Sequence, residues 1–193
     1  MRFRFNLFAP VVALAACFTV TAQTPDYKNV GRTPTPQEVQ ALDIAVSTEG
    51  KELPPGSGTA KTGARLYQQK CAACHGENQE GSAQAPALVG GKGTLTSLHP
   101  QMTAGSYWPF ATTIFDYIRR AMPRYQEGSL KADEVYSLAA FILYRNDIIK
   151  EDDIIDAATL PKIKMPNRDG FIPQNLDEIH DYKKRGCKLG HCP

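Results

Sequence analysis

Cys71-Ala72-Ala73-Cys74-His75 is the stretch of sequence that decides the fold. Two thiols three residues apart at a helix end can each add across a vinyl group of one haem, and the adjacent histidine reaches the iron from the same face. A thioredoxin-like redox pair is one alternative, but no strand–helix–strand pattern surrounds the motif, and His75 would then be unexplained. A zinc site would need further Cys or His at workable spacing. The motif predicts one covalently bound haem.

The chain around this motif is long enough for one small domain with arms. It has 193 residues, 42% of them hydrophobic, with 20 acidic and 22 basic side chains and a formal charge of +2. That charge is too small for a protein that tracks phosphates, so we expect no nucleic-acid partner. A domain this small lacks a large apolar core, and a bound porphyrin would supply part of one.

The first 22 residues have the parts of a secretory signal peptide, with two arginines before an apolar run at 7–20. Cleavage is expected after Ala22, which places the mature protein in the periplasm. A lipoprotein site at Cys17 is the alternative, although the apolar run continues past Cys17 where a polar tether would begin. The run is too short to span a bilayer, and we expect no membrane span.

The remainder of the chain divides into three parts that differ in proline content, helical periodicity and polarity. Residues 23–58 form an N-terminal arm rich in proline, with a short helix that begins at a Thr35–Glu38 capping box and runs through Leu42. Residues 59–150 carry helical periodicity, and residues 151–193 form a polar C-terminal arm broken by prolines. We therefore predict an all-α fold, with a single helical domain between two long irregular arms and no convincing strand within residues 59–150.

Three helices are predicted inside the domain. Their limits follow from apolar spacing, capping residues and the effect of proline on the residue before it. The first covers about 60–70, the second begins at Pro109 and ends before Met122-Pro123, and the third follows an N-cap at Ser129 and ends near Asn146.

The second axial ligand of the iron is expected to be a methionine or a histidine. Met122 lies in a predicted kink between two helices, where Pro123 fixes the turn and a thioether can point at a flat cofactor. Met165 is the next candidate and His99 follows, although a methionine ordinarily fills a gap in a core. Iron held by both His75 and Met122 could transfer electrons but could not bind substrate, so we expect no enzymatic activity from this chain alone.

The chain resembles the class I cytochromes c over roughly half its length. The resemblance implies that Gly63 lets the first and last helices cross closely. It also implies that the Pro86 carbonyl accepts a hydrogen bond from Nδ1 of His75, and that Met122 is the distal ligand. The matching stretches are Gly63–Tyr67, Cys71–Gly76, Pro86–Gly90, Met122-Pro123 and the helix that runs to Tyr144.

Strings outside the haem motif resemble a narrower group, the cytochrome c subunits of sulfane and sulfite dehydrogenases. This resemblance implies a hetero-oligomer with a molybdenum-cofactor dehydrogenase subunit as electron donor, and a soluble cytochrome c as acceptor. The sulfane dehydrogenase cytochrome commonly carries two haems, whereas this chain has one C-x-x-C-H motif, which leaves the sulfur substrate open. The matching strings are Gly31–Pro36, Gly105–Phe110, Tyr117–Pro123 and Met165–Phe171.

Several polar and aromatic residues near the motif have two interpretations. Tyr107 and Trp108 could hydrogen-bond a haem propionate or could simply pack. Arg119 and Arg120 could contact propionates or a docking partner, or could form a solvated helix end.

Two cysteines in the tail suggest a disulfide. Cys187 and Cys192 are close enough in sequence to pair in an oxidising compartment. A metal clip with His191 is the alternative, but three ligands in a flexible tail make a poor site.

The sequence alone leaves two further functions open. One is a free electron carrier, and the other is a peroxidase-like haem enzyme whose Met122 ligand dissociates to open the iron.

Overall fold

The computed structural model of this chain describes residues 30–171. Three predictions lie outside the described residues: the signal peptide at 1–22, the lipoprotein alternative at Cys17, and the disulfide between Cys187 and Cys192. They stay predictions.

The first of two structural units ends at Ala41 and contains most of a short helix, α1 (Pro36–Leu42). The predicted capping box is present. The Glu38 N–H donates to Oγ1 of Thr35 at 3.3 Å, and the Glu38 carboxylate accepts from the Thr35 N–H at 2.8 Å. Arg32 donates to the same carboxylate at 2.7 Å. Contacts with Arg32 and then Thr35 lower the pKa of Glu38 to about 2.

The second unit begins at Leu42 and is mostly helical, which confirms the all-α class. Two short strands pair antiparallel within it, Gly58 opposite Ile155, and both lie outside residues 59–150, where no strand was expected. The elements are β1 (Ser57–Gly58), α2 (Ala60–Lys70), α3 (Ala72–His75), α4 (Ala111–Ala121), α5 (Ala132–Arg145), β2 (Ile155–Asp156) and a 3-10 helix (Leu160–Lys162).

Helix α5 lies at the centre of the second unit, because every residue from 135 to 143 is buried. Helix α2 crosses it at Gly63, where an added Cβ would lie 1.9 Å from the carbonyl oxygen of Ser137. Tyr67, one turn further along α2, packs its ring 5.5 Å from that of Phe141. The predicted close crossing of the first and last helices at Gly63 is confirmed.

Helix α4 begins two residues later than predicted. Phe110 is its N-cap, so Pro109 lies outside the helix. At the other end Met122 has an extended backbone, with φ −125° and ψ 147°, as expected for a residue before proline. The predicted kink between the two helices is present.

Helix α5 does not use Ser129 as its N-cap, so that prediction is wrong. The Ser129 N–H donates to the Gln126 carbonyl in a turn, and the helix is capped at Lys131. The Lys131 N–H donates to the Glu134 carboxylate at 2.9 Å. A carboxylate in the first turn supplies the capping contact that the serine does not.

Part of the C-terminal segment packs into the core. Ile155, Leu160 and Met165 are buried, with Leu160 fully covered. The predicted boundaries of the arms and domain stay predictions. None of the helices within residues 30–171 is long and apolar enough to cross a membrane.

Candidate haem site

The two motif cysteines lie where one helix ends and the next begins. Cys71 closes α2, since its N–H donates to the Tyr67 carbonyl at 2.8 Å, and the single turn of α3 carries Cys74 and His75. The two thiols are not joined to each other. Burial raises the pKa of the Cys71 thiol to about 11. A thiol that stays protonated at neutral pH is a poor redox nucleophile, which argues against a thioredoxin-like pair.

His75 is held in one orientation by the loop that follows it. Its Nδ1 atom lies 2.9 Å from the carbonyl oxygen of Pro86. A carbonyl oxygen can only accept, so Nδ1 carries the proton and Nε2 keeps its lone pair for a metal. The His75 carbonyl in turn accepts from the Gly81 N–H at 2.8 Å. The imidazole is therefore presented as an iron ligand would be.

The methionine candidates differ in how far protein atoms cover them. Met165 is 1% exposed and belongs to the core, as expected of a methionine that fills a gap. Met122 is only partly buried, packs against the core and follows α4 in an extended conformation. His99 is exposed. Met122 can thus present its thioether to a cofactor, while Met165 is enclosed by its neighbours.

Tyr107 and Trp108 both pack against aromatic rings. Tyr107 lies edge-on to Phe171 with 5.3 Å between ring centroids, and Trp108 lies edge-on to Tyr117 at 5.6 Å. Such pairs stabilise a fold beyond the area that they bury. A contact between either residue and a propionate stays a prediction.

The two arginines at the end of α4 have protein partners. Arg119 donates from Nη1 to the Ile44 carbonyl at 3.1 Å. Arg120 donates from Nε to the Asp116 carboxylate at 2.8 Å. Arg119 therefore links the helix end to the chain that precedes β1, and its contact with a propionate or a partner also stays a prediction.

Sequence reasoning missed two buried residues beside the motif. Tyr67 is fully buried and donates its hydroxyl to the Gly76 carbonyl at 2.7 Å, and burial raises the pKa of that hydroxyl. Its position one helical turn before Cys71 was the available signal. Gln79 is also fully buried, and no periodicity surrounds it that could have indicated this.

The donor set fits haem better than a bare metal ion. Within residues 30–171, no three His, Cys, Asp or Glu side chains gather to hold a metal ion. An oriented imidazole beside two thiols, with an accessible thioether on another element, is the set that a c-type haem takes. The fold and this donor set together define a c-type cytochrome.

Comparison with known proteins also indicates a c-type cytochrome. The family described as cytochrome C oxidase, cbb3-type, subunit III matches residues 58–142. A chain of the crystal structure of the sulfane dehydrogenase SoxCD from Paracoccus pantotrophus is 36% identical, with a TM-score of 0.73, over 86% of this chain and 82% of that chain. Cytochrome cL from Hyphomicrobium denitrificans is 19% identical with a TM-score of 0.32, over 90% and 94% of the two chains. No curated protein matches.

The chain belongs to the class I cytochromes c, among the relatives of the sulfane dehydrogenase cytochrome. The resemblance stated from the sequence is thereby confirmed. Membership of this family makes haem c the cofactor and electron transfer the role.

Proposed function

We propose that this chain is a monohaem cytochrome and the electron-transfer subunit of a periplasmic, molybdenum-dependent sulfite or sulfane dehydrogenase. The observation that carries the proposal is the 36% identity with a chain of a sulfane dehydrogenase over 86% of this sequence. A match of that length extends well beyond residues 58–142, the part of the chain that the cytochrome family model covers.

Cys71 and Cys74 would hold the haem covalently, and His75 and Met122 would be its axial ligands. The Nδ1 contact of His75 and the partial exposure of Met122 support this arrangement. When bound, the haem supplies one-electron redox chemistry. The Pro86 carbonyl fixes the tautomer of His75 and leaves Nε2 for iron. A Met122 thioether favours Fe(II), so we expect a positive potential suited to accepting electrons. With both axial positions held by protein, this chain relays electrons and transforms no substrate.

The proposed partners follow from that role. A molybdenum-cofactor subunit would oxidise the sulfur compound and deliver electrons singly to this chain. A soluble cytochrome c would then accept them. A cleaved signal peptide would place this chain in the periplasm, and both proposed partners would have to lie there too.

Reconstitution with the partner tests the proposal. The mature chain and a molybdenum-cofactor dehydrogenase subunit from the same organism should form a complex that survives gel filtration. Adding a sulfur substrate should then reduce the haem, with sulfite and sulfane-sulfur compounds offered separately. Absence of both the complex and the reduction would rule the proposal out. Reduction without a stable complex, unaffected by removal of residues 23–58, would instead indicate a free carrier.

Attachment is tested separately by mass spectrometry of the intact protein. We expect the mass of one haem on the wild-type chain, and no stable haem when both motif cysteines are replaced by serine. High-spin ferric iron that reacts with peroxide would favour the peroxidase-like alternative.

A further inference from the structure

Gln79 combines two unfavourable features at one position. Its side chain is 0% exposed, yet neither Oε1 nor Nε2 of its amide has a hydrogen-bond partner among the described residues. Its backbone is also left-handed, with φ +68°. A buried amide without partners and a left-handed residue other than glycine both cost stability, and each calls for an explanation at the site where it occurs. Glycine at this position would avoid both costs.

The backbone of Gln79 ties two parts of the haem loop together. Its carbonyl oxygen accepts from the N–H of Leu88 at 2.9 Å and from that of Val89 at 3.4 Å. Its own N–H donates to the Gly76 carbonyl at 3.3 Å. These bonds connect the residue that follows His75 with the chain that follows Pro86.

We propose that Gln79 is a positioning residue for His75. Its buried side chain fixes the position of its own backbone carbonyl, which accepts hydrogen bonds from Leu88 and Val89. These two bonds in turn keep the nearby Pro86 carbonyl against Nδ1 of His75. An ordered internal water supplies the amide with its partner, as is usual for buried polar groups that lack one in the protein. The inference rests on the proposed role of His75 as an iron ligand.

The expected consequence is electronic as well as structural. A hydrogen bond from Nδ1 to a carbonyl raises the basicity of a ligating imidazole and fixes its ring orientation. More basic imidazole stabilises Fe(III) over Fe(II). Loosening the Pro86 carbonyl should therefore raise the reduction potential.

Two variants of the full, haem-loaded chain test this. Gln79→Met keeps the length and volume of the side chain without the amide, and Gln79→Gly adopts the left-handed backbone without strain, which guards against a failure to fold. In both we expect a higher potential and an altered pattern of haem methyl NMR shifts. We also expect about tenfold faster solvent exchange of the His75 Nδ1 proton, which corresponds to about 1.4 kcal/mol.

Gln68→Met is the matched control. Gln68 is exposed, and its amide donates to the Glu77 carbonyl of the same loop at 3.0 Å. We expect this variant to keep the wild-type potential and exchange rate. If it shifts both as far as the Gln79 variants do, the specific role of Gln79 is disproved.

A packing role alone predicts a different result. Gln79→Met would then become more stable to heat, because the buried amide is gone, and the potential and exchange rate would stay at wild-type values in both Gln79 variants. That result overturns the inference. A wild-type chain without covalent haem would instead remove the proposed function, and the mass spectrum shows this before any variant is made.

Discussion

Replacing Gly63 with alanine should destabilise the protein, although alanine is the better helix former. In an open helix interior the change would stabilise by about 1 kcal/mol. Here the new Cβ would lie 1.9 Å from the Ser137 carbonyl oxygen and 2.7 Å from Cβ of Phe141. An ordinary carbon–oxygen contact is about 3.3 Å, so helices α2 and α5 must separate by about 1.4 Å. Overpacking of this kind costs about 1–3 kcal/mol, which equals or exceeds the gain in helix propensity.

The net effect should be a loss of up to about 2 kcal/mol in the free energy of unfolding, or a fall of up to about 8 °C in Tm. Thermal and urea unfolding of the haem-loaded protein, followed by far-ultraviolet circular dichroism, measures it. Arg65→Ala is the control, since Arg65 is exposed on the same helix and its removal should change stability by less than about 0.5 kcal/mol. A Gly63→Ala protein more stable than wild type would refute the close crossing.

Three other predictions concern separate parts of the chain. Met122→Ala should abolish the far-red sulfur-to-iron band of the ferric protein. Met165→Leu should keep the band and lower the free energy of unfolding by less than about 1.5 kcal/mol. The reverse pattern would make Met165 the ligand. NMR titration of Glu38 should give a pKa of about 2. The stability that its contacts contribute is therefore complete above pH 4.5 and is lost as the pH falls from there through about 2, and Arg32→Ala should raise the pKa. Tyr136→Phe removes a hydroxyl that donates to a backbone carbonyl at 2.8 Å and should cost about 1 kcal/mol by denaturant unfolding; an unchanged midpoint would contradict that bond.

Local signals were sufficient to locate the three long helices of the central domain, although not all of their ends. Helix α2 covers Ala60–Lys70, where the apolar spacing put it, and Met122 leaves helical geometry because proline follows it. The start of α5 was misjudged because a serine is only a possible cap. Whether Ser129 caps depends on the turn before it, and that turn uses the Ser129 N–H for the Gln126 carbonyl instead.

Long-range contacts account for what sequence reasoning missed. Strands of two residues have no periodicity to detect, and Gly58 pairs with a residue almost a hundred positions away. Ile155 and Leu160 lie in a segment interrupted by proline, so nothing local distinguishes them from exposed loop residues, yet both are buried. The unpartnered amide of Gln79 is a property of packing around the loop and has no counterpart in composition.

Two of the strings that indicated the narrower family contact each other in the structure. The Asn167 amide donates to the Tyr107 carbonyl at 2.7 Å, and the Arg168 guanidinium lies 3.9 Å from the centroid of the Phe110 ring. Residues 105–110 and 165–171 are thus one packed unit, although nearly sixty residues separate them. A minimal cytochrome domain at 58–142 contains the first string without the second. Because the two strings contact each other, a likeness that includes both extends beyond the minimal cytochrome domain and covers structure that the haem motif does not describe.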